Sequence, residues 1–73
     1  MSRAVAIGAE LRLAGYALAG VEVIDAADPG GVTRALEALD GDVALVILEK
    51  APDATALSVL ERRSRTVWCS LPA

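Results

Sequence analysis

An unbroken run of six apolar residues, Val43–Leu48, constrains the fold of this chain more than any other feature. The run is too short to cross a bilayer, which takes about 20 apolar residues in a helix. A short apolar run that ends at a charged residue, here Glu49, is typical of a strand buried on both faces. We therefore predict a central strand in a parallel sheet that helices cover.

Three further segments are predicted to be strands of the same sheet. Residues 4–7 form a continuous apolar run, as expected for a first buried strand. Residues 21–24 are mostly apolar but include Glu22, and this polar position favours a strand at the edge of the sheet. Residues 66–71, directly before Pro72, form the last predicted strand.

The segments between these strands have helical periodicity. One helix is predicted over residues 10–19, a second begins at Asp28 and Pro29, and a third opens at Pro52 and Asp53, because aspartate and proline are favoured at helix starts. The residues expected to face the core are Leu11, Ala14 and Leu18 in the first helix, Val32, Ala35, Leu36 and Leu39 in the second, and Ala56, Leu57 and Leu60 in the third.

Strands and helices thus alternate from the first strand to the fourth. Parallel strands joined by crossover helices are right-handed in nearly all proteins. With the second strand at an edge and the third the most apolar, the strand order 2-1-3-4 fits best. The sequence predicts one α/β domain over residues 1–73, a three-layer, four-stranded parallel sheet with three helices, Rossmann-like or flavodoxin-like.

Size and composition limit what such a domain can do. A chain of 73 residues has room for one core and lies near the limit of independent stability, where natural domains lean on a disulfide, a metal or a partner. Cys69 is the only cysteine and histidine is absent, so a disulfide within the chain is excluded and a zinc or iron site is poorly supplied. A protein partner or unusually dense packing is the remaining support.

The net charge and the N-terminal sequence argue against a nucleic-acid-binding protein and against an exported protein. The net charge of −3 argues against nucleic-acid binding, which requires a broad cationic surface for the phosphates. Glu10 and Arg12 interrupt the apolar stretch that a signal peptide would need. Together with one free thiol, this favours a reducing cytoplasm and no direct membrane insertion.

Two carboxylates are the candidates for a metal site. Glu10 follows the first predicted strand and Glu49 ends the third, so the two could meet at the carboxyl edge of the sheet and hold a hard cation such as Mg²⁺. In the alternative interpretation, Glu10 complements the dipole of its helix and Glu49 is the first solvated residue after a strand. The turn after the first strand has one glycine, Gly8, and lacks a dinucleotide fingerprint.

Four residues near the C-terminus are candidates for binding a partner. Arg62, Arg63 and Arg65 form a basic cluster in an acidic chain, and Trp68 lies on a predicted edge strand, where tryptophan can anchor an interface. The alternatives are a solvated helix end for the arginines and packing on the third helix for Trp68. Cys69 is expected to be a packed, inert side chain.

Three stretches of the sequence share their pattern with one protein family. Residues 7–23, IGAELRLAGYALAGVEV, combine an apolar strand, a helix with R-L-A-G and then G-V-E-V. Residues 43–49, VALVILE, are an apolar strand that ends in an acid, and residues 66–72, TVWCSLP, are a last strand that ends in proline. Over nearly its whole length the chain resembles the F subunit of the V/A-type ATPases.

The resemblance implies a non-catalytic subunit without a cofactor, located on the central rotor stalk of a rotary ATPase. Such a subunit binds the coiled-coil D subunit of the stalk and helps couple ATP turnover to proton or ion transport, in the cytoplasm and peripheral to a membrane complex. Members of the family generally continue into a C-terminal segment that packs on the stalk, whereas this sequence ends at Ala73.

The residues themselves leave two alternatives open. A receiver-like regulatory domain shares the strand order, but it would need an acidic pair after the first strand and an aspartate at the end of the third, where this chain has Glu10 and Glu49. A self-associating interaction module, forming a homo-oligomer, is the other alternative.

Overall fold

Strands and helices alternate along the chain in the predicted order. The computed structural model of the protein describes residues 3–72. In chain order the elements are β1 (Arg3–Gly8), α1 (Glu10–Leu18), β2 (Glu22–Asp25), α2 (Pro29–Glu37), β3 (Val43–Leu48), α3 (Ala54–Glu61) and β4 (Val67–Ser70). The carboxylates of Asp28 and Asp53 cap α2 and α3, as the sequence predicts.

All four strands are parallel, and their order β2-β1-β3-β4 confirms the predicted order. In the middle of the sheet, Ile7 of β1 lies between Ile24 of β2 and Leu48 of β3. β4 forms the second edge, with Cys69 opposite Ile47. Because β1 and β3 have strands on both sides and packed side chains on both faces, an almost purely apolar sequence suits them.

α2 and α3 cover one face of the sheet. Side chains of β1 and β3 project from this face into a core that both helices close. The buried members of this core are Val5, Ile7, Leu36, Val43, Val46, Leu48, Ala56, Val59 and Leu60. Val32, Ala35 and Leu39 of α2 pack partly buried against them, so the predicted core face of α2 is confirmed.

The prediction for α3 is wrong at one residue. Leu57 is 37% exposed, while Ala56, Val59 and Leu60 are buried at i, i+3 and i+4 spacing. Leu57 lies about 100° around the helix from Ala56, outside the stripe that faces the sheet. The apolar residues of α3 extend beyond that stripe, so their spacing alone could not define its centre.

α1 covers the other face of the sheet, where it packs mainly over β1 and β2. Leu13 is its one fully buried residue and packs with Ala6 and Ile47, and Tyr16 is half-buried beside them. The predicted core face of α1 is therefore wrong. Leu11 and Leu18 are 94% and 92% exposed, and Ala14 is exposed as well.

The reason for this error is that α1 is apolar on nearly all sides. Leu11, Ala14 and Leu18 share one face, but Leu13 and Tyr16 offer another apolar face almost opposite. In the folded chain Leu13 packs against Ala6 and Ile47 of the sheet, and Nε of the exposed Arg12 lies 3.3 Å from Oε2 of Glu49, which follows β3. This orientation leaves an exposed apolar surface, called here the outer face of α1: Leu11, Ala14 and Leu18.

On the α1 side of the sheet, β4 has no helix above it, whereas Ile47 of β3 is buried against α1. Leu45 and Ile47 of β3 belong to the α1-side core, and their partners on β4 are Val67 and Cys69. Neighbouring residues of paired strands point to the same face. Val67 is 69% exposed and Cys69 is exposed. This surface over β3 and β4, lined by Leu45, Val67, Cys69 and Leu71, is called here the open groove.

The orientation of α1 predicts that replacing Leu13 destabilises the fold much more than replacing Leu11, although the two leucines are only two residues apart. Leu13→Ala should lower the free energy of unfolding by about 2–5 kcal/mol, because it leaves a cavity under the helix. Leu11→Ala should change it by less than about 0.5 kcal/mol in dilute solution, since the side chain is exposed. Urea denaturation followed by circular dichroism measures both; a larger loss for Leu11→Ala would contradict this orientation of α1.

Candidate functional site

The carboxyl edge of β1 and β3 is where ligands bind in sheets of this order. The side chain of Glu49 lies at this edge and is only 11% exposed. Its Oε1 accepts a hydrogen bond of 2.7 Å from the backbone N–H of Ala9, and its Oε2 faces Arg12. The carboxylate therefore holds the start of α1 to the end of β3, and both of its oxygens have partners within the chain.

Glu10 does not share a contact with Glu49. Its backbone N–H donates to Oδ1 of Asp25 at 3.1 Å, and its own side chain is exposed in the first turn of α1, where an acid complements the helix dipole. Within residues 3–72, no group of three or more metal-ligating side chains lies close enough together to hold an ion. Glu49 thus contacts the start of α1, and Glu10 lies in the first turn of the same helix.

Gly8 is required by the close approach of Glu49. A Cβ placed on Gly8 would lie 2.3 Å from Cβ of Glu49 and 2.8 Å from its Oε1. Any other residue would push the carboxylate away from Ala9 and Arg12. The sequence shows only a glycine at the end of a strand, so this role was not predicted.

A small crevice lies beside this edge, on the side of α2 and α3. It has a volume of about 140 Å³, which is below the usual range of about 300–1,000 Å³ for small-molecule sites. The N-termini of both helices open toward it, but Asp28 accepts from Gly31 N–H at 2.6 Å and Asp53 accepts from Ala56 N–H at 2.9 Å. Two carboxylates thus occupy the positions where a phosphate would bind.

The three candidate arginines have different surroundings. Arg63 is half-buried and donates to the carbonyl oxygens of Leu39 and Asp40 at 3.2 and 2.6 Å, and to Oγ1 of Thr66 at 3.3 Å. Arg63 thus binds the end of α2 to the loop before β4. Arg62 and Arg65 are exposed, and neither forms an ion pair with another residue of the 3–72 segment.

Trp68 and Cys69 point to opposite faces of β4. Trp68 is half-buried and packs against the core under α2 and α3. Cys69 is exposed in the open groove, so the expectation of a packed thiol is wrong. The physical reason is that β4 is an edge strand whose α1 side has no helix above it.

Comparison with known proteins gives one structural match. No protein-family model matches the sequence. No curated protein matches it either. The crystal structure of the F subunit of the V-type ATP synthase from Archaeoglobus fulgidus superimposes with a TM-score of 0.71 and 20% sequence identity, over 97% of this chain and 98% of that chain. The chain has the fold of that F subunit.

The match supports the fold expected from the family resemblance, and it spans almost all of both chains. The shared fold therefore takes in nearly the whole of this domain. The features that the sequence did not predict, the role of Gly8 and the rotation of α1, depend on contacts between segments distant in sequence. A glycine between the first strand and the first helix was the only visible signal of the Gly8–Glu49 contact.

Two glycines of this fold should respond oppositely to alanine. Gly8→Ala forces Glu49 to move and should lower the free energy of unfolding by about 1–3 kcal/mol. Gly15→Ala, where an added Cβ meets nothing within 4 Å inside an exposed helix, should raise it by about 0.5–1 kcal/mol. Chemical denaturation compares the two, and equal effects would show that Gly8 has no special role.

Proposed function

We propose that this chain is a non-catalytic central-stalk subunit of a V/A-type ATPase, equivalent to the F subunit. It docks on the coiled-coil D subunit of the stalk and helps couple ATP turnover to proton or ion transport. The observation that carries the proposal is the superposition on the Archaeoglobus fulgidus protein over 97% of this chain. The family resemblance of residues 7–23, 43–49 and 66–72 supports it from the sequence.

The polar groups at the carboxyl edge support a role without catalysis. Glu49 binds the start of α1, Asp25 accepts from the backbone of Glu10, and Asp28 and Asp53 cap their own helices. Catalysis needs groups that are free to contact a substrate. Here the carboxylates that surround the crevice already stabilise the fold, so the molecule acts through its surface.

The surface around the end of α3 is the proposed contact with the coiled-coil partner. Arg62 and Arg65 are exposed there without ion pairs among the described residues, on a chain whose net charge is −3. Unpaired surface arginines bind carboxylates through bidentate hydrogen bonds. Trp68, the other candidate for this contact, is half-buried and packs against the core under α2 and α3. We expect acidic side chains on the partner.

The proposed location is the cytoplasmic side of a membrane complex, with attachment through the coiled-coil partner. Among residues 3–72, each helix falls short of the length and apolar character that a bilayer span requires. Attachment through protein contacts is consistent with the central stalk, where the family's F subunits are peripheral components of their complexes.

Binding to the D subunit encoded in the same genome tests the proposal. The purified chain should retain that coiled-coil protein in a pull-down at modest salt. Replacing Arg62 and Arg65 with glutamate should weaken binding about tenfold or more, because two favourable charge contacts become repulsive. Isothermal titration calorimetry gives the affinities, and the difference should shrink at high salt.

Arg34→Glu is the control on another helix, since Arg34 is exposed on α2 and its guanidinium lies beside Gly30 and Gly31 at the start of that helix. It changes the net charge in the same direction and should leave most of the affinity. Equal weakening by both changes would contradict the proposed contact surface. Failure of the unmodified chain to retain the coiled-coil protein would contradict the stalk role itself.

A further inference from the structure

Arg63 lies between Arg62 and Arg65, the two exposed residues of the proposed contact surface, but it is half-buried and its guanidinium contacts other parts of the same chain. We propose that Arg63 is a positioning residue, which fixes the turn that carries the two exposed arginines and does not itself contact the partner. This role rests on the stalk function proposed above. Part of the affinity for the coiled-coil partner then comes from a turn that is already ordered before binding.

The chain turns tightly between α3 and β4. The backbone N–H of Thr66 donates to the carbonyl oxygen of Arg63 at 3.0 Å, which makes residues 63–66 a hydrogen-bonded β-turn with Arg65 at its third position. Nε of Arg63 donates to Oγ1 of Thr66 at 3.3 Å, so the side chain closes the same turn a second time. The Thr66 hydroxyl donates to the carbonyl oxygen of Val43 at 2.9 Å, at the start of β3. Arg65 is therefore carried by a backbone that is fixed on both sides.

Arg62 is fixed by the helix that precedes it. It is the C-cap residue of α3, and its backbone N–H donates to carbonyl oxygens of the last helical turn, including that of Val59 at 3.2 Å. The backbone N–H of Arg63 donates to the carbonyl oxygen of Leu60 at 3.0 Å, so helical hydrogen bonding continues up to the start of the turn. The two exposed arginines thus lie on one continuous hydrogen-bonded segment, which begins in α3 and ends at Thr66.

The Arg63 guanidinium binds this segment to a loop distant in sequence. Nη1 donates to the carbonyl oxygen of Leu39 at 3.2 Å and Nη2 to that of Asp40 at 2.6 Å, both in the loop that follows α2. That loop is itself held to the sheet, because Nη2 of Arg3 lies 3.0 Å from Oδ2 of Asp40. The N–H groups of a guanidinium form a rigid fork, so one side chain reaches the acceptors of both the turn and the loop. A lysine ammonium keeps the charge but lacks this fork.

Binding of the D subunit by Arg63→Lys tests the positioning role. The variant keeps the net charge of −3 but should lose the ordered turn, so that the turn must be ordered when the partner binds. We expect an affinity about five- to tenfold weaker, with a less favourable binding entropy, in isothermal titration calorimetry. Leu13→Val, a change of a buried residue under α1 on the other face of the sheet, is the control for a general loss of stability. It should leave the affinity unchanged within about twofold.

A double-mutant cycle separates positioning from direct contact. In a chain that carries both Arg62→Ala and Arg65→Ala, Arg63→Lys should weaken binding by less than about twofold more, because no arginine is left to position. If Arg63 contacted the partner itself, its replacement would weaken binding by the same factor in both chains. Equal factors would therefore overturn the positioning role.

Amide hydrogen exchange of the free chain, followed by NMR, gives a readout without any partner. In Arg63→Lys the backbone N–H of Thr66 should exchange at least about tenfold faster relative to the amides of Val46 and Ile47 in the central strand, which report a global loss of stability. Unchanged relative exchange at Thr66 would overturn the positioning role.

The binding experiment also distinguishes the two proposals from each other. An unmodified chain that does not bind the D subunit would overturn the stalk role, and the role of Arg63 toward that partner with it. An unmodified chain that binds, together with an Arg63→Lys chain that binds as tightly, would overturn the positioning role alone.

Discussion

Three helices cannot cover both faces of a four-stranded sheet. A helix about 10 Å wide covers two strands about 4.8 Å apart, so α2 and α3 close one face and α1 closes the half above β1 and β2. The part above β4 stays open and leaves Val67 and Cys69 exposed, whereas Ile47 of β3 is buried against α1. This constraint explains why a chain with a well-packed core still presents apolar side chains to solvent.

The small size of the chain also explains why its polar side chains connect secondary-structure elements to one another. The connections between elements are short, so single side chains bind elements together: Glu49 joins β3 to α1, and Arg63 joins the end of α2 to the loop before β4. At the opposite end of the sheet, Arg3 contacts the carboxylates of Glu22, Asp40 and Asp42. Side chains engaged in this way hold the fold together.

The sequence predicted the layout of the fold well, because local signals agree with tertiary packing there. Val43–Leu48 is bounded as expected, and Glu22 marks the edge strand that decides the strand order. The prediction of the core face of α2 was correct because the other side of that helix is polar. The core face predicted for α1 was wrong because that helix is apolar nearly all round, and the side that faces the sheet is seen only from contacts with residues distant in the chain, such as that of Leu13 with Ile47.

The candidate site was harder to predict for a related reason. Glu10 and Glu49 do lie near the same edge, but spacing along the chain could not show that Ala9 and Arg12 occupy the oxygens of Glu49. Arg63 was grouped with its neighbours by composition, whereas its carbonyl partners lie more than 20 residues earlier. Cys69 was expected to be packed, but the missing cover over β4 follows from the number of helices and leaves no local signal.

The central claim is that the carboxylates at the carboxyl edge of the sheet serve the fold, with Glu49 holding α1 to β3 and Asp28 and Asp53 capping their helices. Methyl NMR of a chain labelled at Ile, Leu and Val tests it directly, with Mg²⁺, nucleotides and a small phosphodonor added in turn. The account predicts unchanged signals for Ile7, Val32 and Leu48, which line the crevice. Saturable shifts of these three signals with any of the small ligands would contradict it.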